Sequence, residues 1–287
     1  MAGDNPWVFD VNEAEFDAKV MQKSHEVPVI VDFWAPWCAP CRALAPILGR
    51  LVEEQAGTVL LAKVNTDDNQ ELALQFGVNG IPHVVGIRKG RAVVQFTGLI
   101  HESQLPEFLQ KLQPSAAEME AEAAAQIEKT NPTDAEAKYR AALKNNPQQE
   151  DAIVGLARVL IDLNNDKESA EVLEQIGSAG EFGAEADKLR AILWLREKAK
   201  DLPNEEVLRK KTAANSNDAN VLCDLGTLLA ANGKNAEGLE CLFQAGRFDR
   251  KLVATRVKET MVKIFFVIGV RSEMADAYRD KLTSLLY

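Results

Sequence analysis

The apolar residues of this chain keep one rhythm up to about Gln113 and another beyond it, and one fold cannot satisfy both. In the first stretch, short apolar runs of strand length alternate with segments of helical period. Residues 29–34, 59–64, 83–87 and 93–96 read as strands, with 7–9 as an edge strand. Residues 13–23, 39–55, 69–76 and 101–112 read as helices, the third closed by Gly77. The last two strands flank the turn Lys89-Gly90 and form a hairpin, so the sheet is mixed rather than purely parallel. From residue 114 every apolar pattern is helical, and residues 114–125, rich in Ala and Glu, favour a helix over a flexible tether. At 287 residues the chain exceeds what one core usually holds. The expected organisation is an α/β domain over 1–113 and an all-α domain over 114–287.

The helical part is internally repetitive. A shift of 68 positions superposes Leu160 on Leu228, Ile161 on Leu229, Asn165 on Gly233 and Ala170 on Gly238. That shift is twice the roughly 34-residue period of tetratricopeptide (TPR) repeats. Stop signals such as Pro147 fit the same pattern, and about four helix pairs are expected.

The net charge of -10 is spread evenly. Residues 1–114 hold 9 basic and 14 acidic groups and residues 115–287 hold 24 and 29, which leaves each part at -5. An evenly acidic surface disfavours nucleic acid or an anionic membrane as partner. The first ten residues carry Asp4 and Asp10 and lack a basic and apolar leader, and no run reaches membrane length, so the cytoplasm is the expected compartment. Four cysteines in so long a chain do not make a disulfide scaffold. Cys38 and Cys41 form a CxxC pair, which in a reducing compartment points to redox or metal chemistry. Zinc would need two more ligands nearby. Cys223 and Cys241 lie far off in apolar helical patterns that suit inert packing, so no metal is expected, and no other cofactor. His25 and His101 read as solvated helix-edge residues.

Residues 29–42, VIVDFWAPWCAPCR, put Cys38 where a buried strand gives way to a helix. Free backbone N–H groups and the helix dipole stabilise an anion there, which lowers the thiol pKa and supplies the attacking thiolate. Cys41, one turn on and less exposed, can then attack the mixed disulfide and release the partner. Cys38 is the nucleophile of this scheme and Cys41 the resolving thiol.

Over residues 5–112 the chain resembles the thioredoxin family. The resemblance rests on Asp32, the pair Trp34 and Trp37, Pro46 within the helix, Lys63, Gly80-Ile81-Pro82 and Gly98. It implies a cis peptide before Pro82, packed against the cysteines, and a role for Asp32 with Lys63 in moving protons to and from Cys41. The alternative for Asp32 is a tolerated buried acid without a role. Trp37, Ile81, Pro82 and Gly98 would contact the partner polypeptide. Two residues depart from the family pattern: Ala39 stands where glycine is usual, and His83 where threonine commonly follows the cis proline. Strand alternation does not settle whether His83 faces Cys38.

The whole chain, a thioredoxin fold followed by TPR-like repeats and ending KLTSLLY, resembles the CnoX/YbbN chaperedoxin family. The resemblance implies a redox-active holdase chaperone that binds unfolding client proteins, protects their cysteines through mixed disulfides, and hands them to GroEL/GroES and the DnaK system. Met274, Tyr278, Leu282, Leu285 and Leu286 form an apolar stripe that either caps the last repeat or, as the family suggests, lets Leu285, Leu286 and Tyr287 dock on the chaperonin. The competing function is a general disulfide reductase recycled by thioredoxin reductase, with the helical domain docking substrates. A third is a TPR adaptor without clients of its own. No nucleotide-binding motif is visible, which argues against an ATP-driven foldase.

Overall fold

The structure, a computed structural model, describes residues 5–286. They fall into two compact units that divide between Ser115 and Ala116. The first is a five-stranded sheet of β1 (Val8–Asp10), β2 (Val29–Trp34), β3 (Leu60–Asn65), β4 (His83–Arg88) and β5 (Arg91–Thr97), in the order β1-β3-β2-β4-β5. Strands β1 and β2 run parallel to β3, and β4 and β5 are antiparallel, so the sheet is mixed as its pattern predicts. Around it lie α1 (Glu13–Phe16), α2 (Ala39–Glu54), α3 (Gln70–Gln75) and α4 (Leu105–Leu112).

Alternation along β2 sorts the core into two layers. Val29, Val31 and Phe33 pack with Phe16, Val20, Leu72 and Ala73 from the α1 and α3 side. Ile30 faces the other way and packs with Leu44, Leu48, Leu105, Phe108 and Leu112 from α2 and α4. Asp32 shares the face of Ile30 and continues that row into the α2 layer.

The segment predicted as one helix over 13–23 is α-helical only to Phe16, then widens to a π-helix over Asp17–Gln22 and closes as a 3-10 turn, Lys23–His25. Tertiary bonds hold both ends. The Glu13 N–H donates to Asn69 Oδ1 at 2.8 Å, and the Gly90 N–H in the β4–β5 turn donates to Ser24 Oγ at 2.8 Å. The wide turn fits the segment between these anchors while keeping both Phe16 and Val20 buried.

The second unit contains ten α-helices among the described residues, five pairs where about four were expected. They are α5 (Ala116–Ile127), α6 (Pro132–Asn145), α7 (Glu150–Asp162), α8 (Asp166–Leu173), α9 (Gly183–Ala199), α10 (Glu205–Ala214), α11 (Ala219–Ala231), α12 (Asn235–Phe248), α13 (Lys258–Ile268) and α14 (Glu273–Leu286). The repeat is real but its offset is 69, one more than the leucine match gives: α7 and α11 begin at Glu150 and Ala219, and α8 and α12 at Asp166 and Asn235. Burial explains the slip. Leu228 and Leu229 are adjacent, and the fully buried Leu160 has its counterpart in Leu229, which is also fully buried. The left-handed turn residues agree, Asn164 in the first copy and Gly233 in the second.

Candidate redox site

Strand β2 ends at Trp34, and four residues later Cys38 caps α2. Its sulfur accepts the Cys41 N–H at 3.1 Å, a place where free N–H groups and the helix dipole favour negative charge. Cys38 and Cys41 are joined as a disulfide and are 4% and 1% exposed, so both are buried in this state. Ala35 packs against the pair from the strand side, with Trp34 and Ile81 half-buried beside it.

The peptide Ile81-Pro82 is cis. The Gly98 N–H donates to the Pro82 carbonyl at 2.7 Å, which ties the loop after β5 to the proline. Gly98 has φ +84, a left-handed conformation open to glycine at no steric cost. Trp37 lies out on the surface at 68% exposure, its indole N–H shared between the two Asp67 carboxylate oxygens at 3.1 and 3.2 Å. Leu99, next to Gly98, is also exposed. Sequence reasoning missed Asp67 and Leu99. Leu99 could have been suspected only from its place beside Gly98, and nothing in the sequence signals the Asp67 contact.

On β2, Asp32 is buried and neither of its carboxylate oxygens has a hydrogen-bond partner among the described residues. Burial pushes its pKa up to about 6, against a smaller opposing pull from the Lys63 charge. Lys63 is its register partner on β3. A carboxyl poised near neutrality on the α2 face of the sheet can take up and return a proton.

His83 sits elsewhere. It opposes Phe33 across the β2–β4 ladder, 6.0 Å between ring centroids, on the face away from Asp32. Its Nδ1 shares a hydrogen bond with Thr97 Oγ1 at 2.8 Å, its Nε2 is buried without a partner among the described residues, and burial lowers its pKa. His101 caps the 3-10 turn Glu102–Gln104 from an exposed position.

At the far end of the chain the expected docking residues part company. Leu285 is buried, Leu286 is 42% exposed, and Tyr287 lies outside the described residues. Of the remaining stripe Leu282 is buried, Met274 is exposed and Tyr278 donates its hydroxyl to Glu240 at 2.9 Å. Cys223 is buried and Cys241 half-buried, and burial raises the pKa of both thiols, which suits packing rather than reactivity.

Residues 7–111 match the family model for thioredoxin. The thioredoxin of Haemophilus influenzae is 41% identical over 102 residues, a match that spans 94% of that protein and 36% of this chain. The chain belongs to the thioredoxin family. The probable thioredoxin-2 of Caenorhabditis elegans is 44% identical over 104 residues, 70% of its length, and thioredoxin 1 of a Nostoc species 37% over 101 residues, 92% of its length. Outside this thioredoxin portion, residues 116–193 and 198–287 match two family models for tetratricopeptide repeats. The fold is therefore an α/β thioredoxin fold followed by an all-α array of TPR repeats, with a thioredoxin-type redox function and a scaffold suited to protein–protein contact. No helix of the described residues is long and apolar enough to cross a membrane.

Proposed function

We propose that the protein is a redox-active holdase of the chaperedoxin type, with a redox domain over 1–113 and a client-binding domain over 114–287. The observation that carries this reading is the joining, in one chain, of a thiol pair capping a helix beside a cis proline with a TPR array. In the proposed cycle the Cys38 thiolate attacks an oxidised client, forming a mixed disulfide and expelling the client's other sulfur as a thiolate. Cys41 gives its proton to Asp32, attacks Cys38 Sγ and frees the reduced client, leaving the Cys38–Cys41 disulfide. Trp37, Ile81, Pro82 and Gly98 hold the client backbone during the exchange. Lys63 supports Asp32, and the helical domain retains the unfolding chain for transfer to the GroEL/GroES chaperonin or the DnaK system. The setting is the cytoplasm under oxidative stress, and the activity serves redox homeostasis and protein folding together.

The second reading is a general disulfide reductase recycled by thioredoxin reductase. The complete dithiol pair with its buried acid favours it, because a pure holdase needs neither Cys41 nor Asp32. One paired experiment separates the two: wild type, Cys38→Ser and Cys41→Ser assayed for disulfide reduction and for suppressing aggregation of an unfolding protein. Both variants are expected to lose reduction, and Cys41→Ser to accumulate mixed disulfides on Cys38, while aggregation is still suppressed. Wild type that fails to suppress aggregation, before and after oxidant treatment, returns the function to reduction alone.

A further inference from the structure

Three neighbouring strands put Asp10, Lys63 and Asp32 in one row. Lys63 on β3 is the register partner of Asp10 on β1 and of Asp32 on β2, so the three side chains leave the same face of the sheet. Along the row the protein passes from solvent to core: the Asp10 side chain is 81% exposed, that of Lys63 25%, and Asp32 1%. The Lys63 ammonium makes no hydrogen bond to the buried carboxylate. It stands 4.6 Å from the centroid of the Trp34 ring and 4.0 Å from Asp10 Oδ1.

Asp10, Lys63 and Trp34 line an open cleft of about 570 Å³, with Glu15 and Asp68 as its other acids, and Asp32 lies behind them off its lining. Glu15, from α1, is paired with Lys19 Nζ at 2.6 Å, and Asp68, in the loop before α3, accepts from Asn65 at 2.5 Å. From α2, Cys38 and Cys41 carry no charge while joined. Asp10 is the acid that meets the lysine. A cation shared between an outer and an inner carboxylate cannot serve both fully, because the interaction falls with distance and water screens each end differently.

We propose that Asp10 is a positioning residue for the exchange site: by holding the Lys63 ammonium at the cleft mouth, over Trp34, it limits the positive charge that reaches Asp32 and keeps Asp32 able to carry a proton near neutral pH. This rests on the reading of Asp32 as the proton carrier for Cys41.

The test uses the full chain with Asp10→Asn, Asp10→Glu, Lys63→Ala and the double variant Asp10→Asn with Lys63→Ala. Two readouts are taken: the Asp32 titration by carboxyl carbon NMR of the oxidised protein, and the pH profile of disulfide reduction. Asp10→Asn frees the ammonium toward Asp32, so the titration midpoint is expected to fall by roughly half a pH unit, and the rising limb of the rate profile to move the same way. Asp10→Glu restores the wild-type midpoint. In the Lys63→Ala background the Asp10→Asn shift disappears. An Asp32 titration unmoved by Asp10→Asn overturns the inference, and so does a shift that persists without Lys63, since Asp10 would then act directly. A moved titration with an unmoved rate profile upholds the inference and instead removes Asp32 from the exchange step.

Discussion

A single buried carboxyl makes the stability of the thioredoxin unit depend on pH. The pKa of Asp32 is raised from 3.8 to about 6, so the folded chain holds this proton more tightly than the unfolded one. The stability tied to the group is therefore complete below about pH 4 and is lost as pH rises through 6. A shift of about two units corresponds to roughly 3 kcal/mol. Asp32→Ala removes that penalty and forfeits about 1 kcal/mol of packing. The variant is thus expected to exceed wild type by about 2 kcal/mol in urea unfolding at pH 8 and to lose the advantage at pH 4. An advantage independent of pH would mean that the carboxylate is not the source of the penalty. Cys38 and Cys41 were legible in the sequence because a buried strand running into a CxxC helix leaves a contiguous signal, whereas Asp32, Lys63 and Pro82 were singled out by the thioredoxin resemblance. The orientation of His83 was not. All six residues of β4 are buried, so polarity shows no alternation, and a register irregularity between Gly86 and Ile87 breaks the count.

Among the elements, the tandem repeat solves one seam in two ways. In the first copy Ser169 of α8 donates its hydroxyl to the Ala157 carbonyl of α7 at 2.8 Å. The equivalent residues 69 positions on are Gly238 of α12 and Gly226 of α11. There a Cβ on Gly238 would lie 2.8 Å from the Gly226 carbonyl oxygen, and one on Gly226 2.9 Å from that of Gly238. The second seam closes by backbone approach, and backbone cannot swing aside. Gly238→Ala is expected to destabilise the helical unit by about 1–3 kcal/mol, measured as an earlier loss of helical signal on heating, whereas Ser169→Ala loses only one hydrogen bond, about 1 kcal/mol. Equal effects would show that the two seams are equally tight. The helices and their period could be read from apolar spacing, but the offset of 69 could not, because which of two adjacent leucines faces the core is decided by the neighbouring helix. Gly155 makes the same point. A Cβ there would run into the Tyr139 side chain, a clash invisible until α6 and α7 are packed.

For the molecule as a whole, the end of α14 is where the proposed transfer of clients can be tested. Leu285 reaches within 2.7 Å of where a Cβ on Gly246 would stand, and it belongs to the same core as Val253, Val257 and Leu282. It therefore packs α14 onto the preceding helices. Leu286 is exposed, so its side chain can be changed without opening that core. The two neighbours separate capping from docking. Leu285→Asp buries a charge in the core and is expected to lower the melting temperature of the helical unit, with any loss of partner binding a consequence of unfolding. Leu286→Asp is expected to leave stability within about 0.5 kcal/mol of wild type. If the chain end docks on the chaperonin, Leu286→Asp lowers capture of the folded protein on immobilised chaperonin by about tenfold, the effect of one apolar contact at the centre of an interface. Undiminished capture by a Leu286→Asp protein with an unchanged melt excludes Leu286 as a docking contact and leaves α14 the role of a cap.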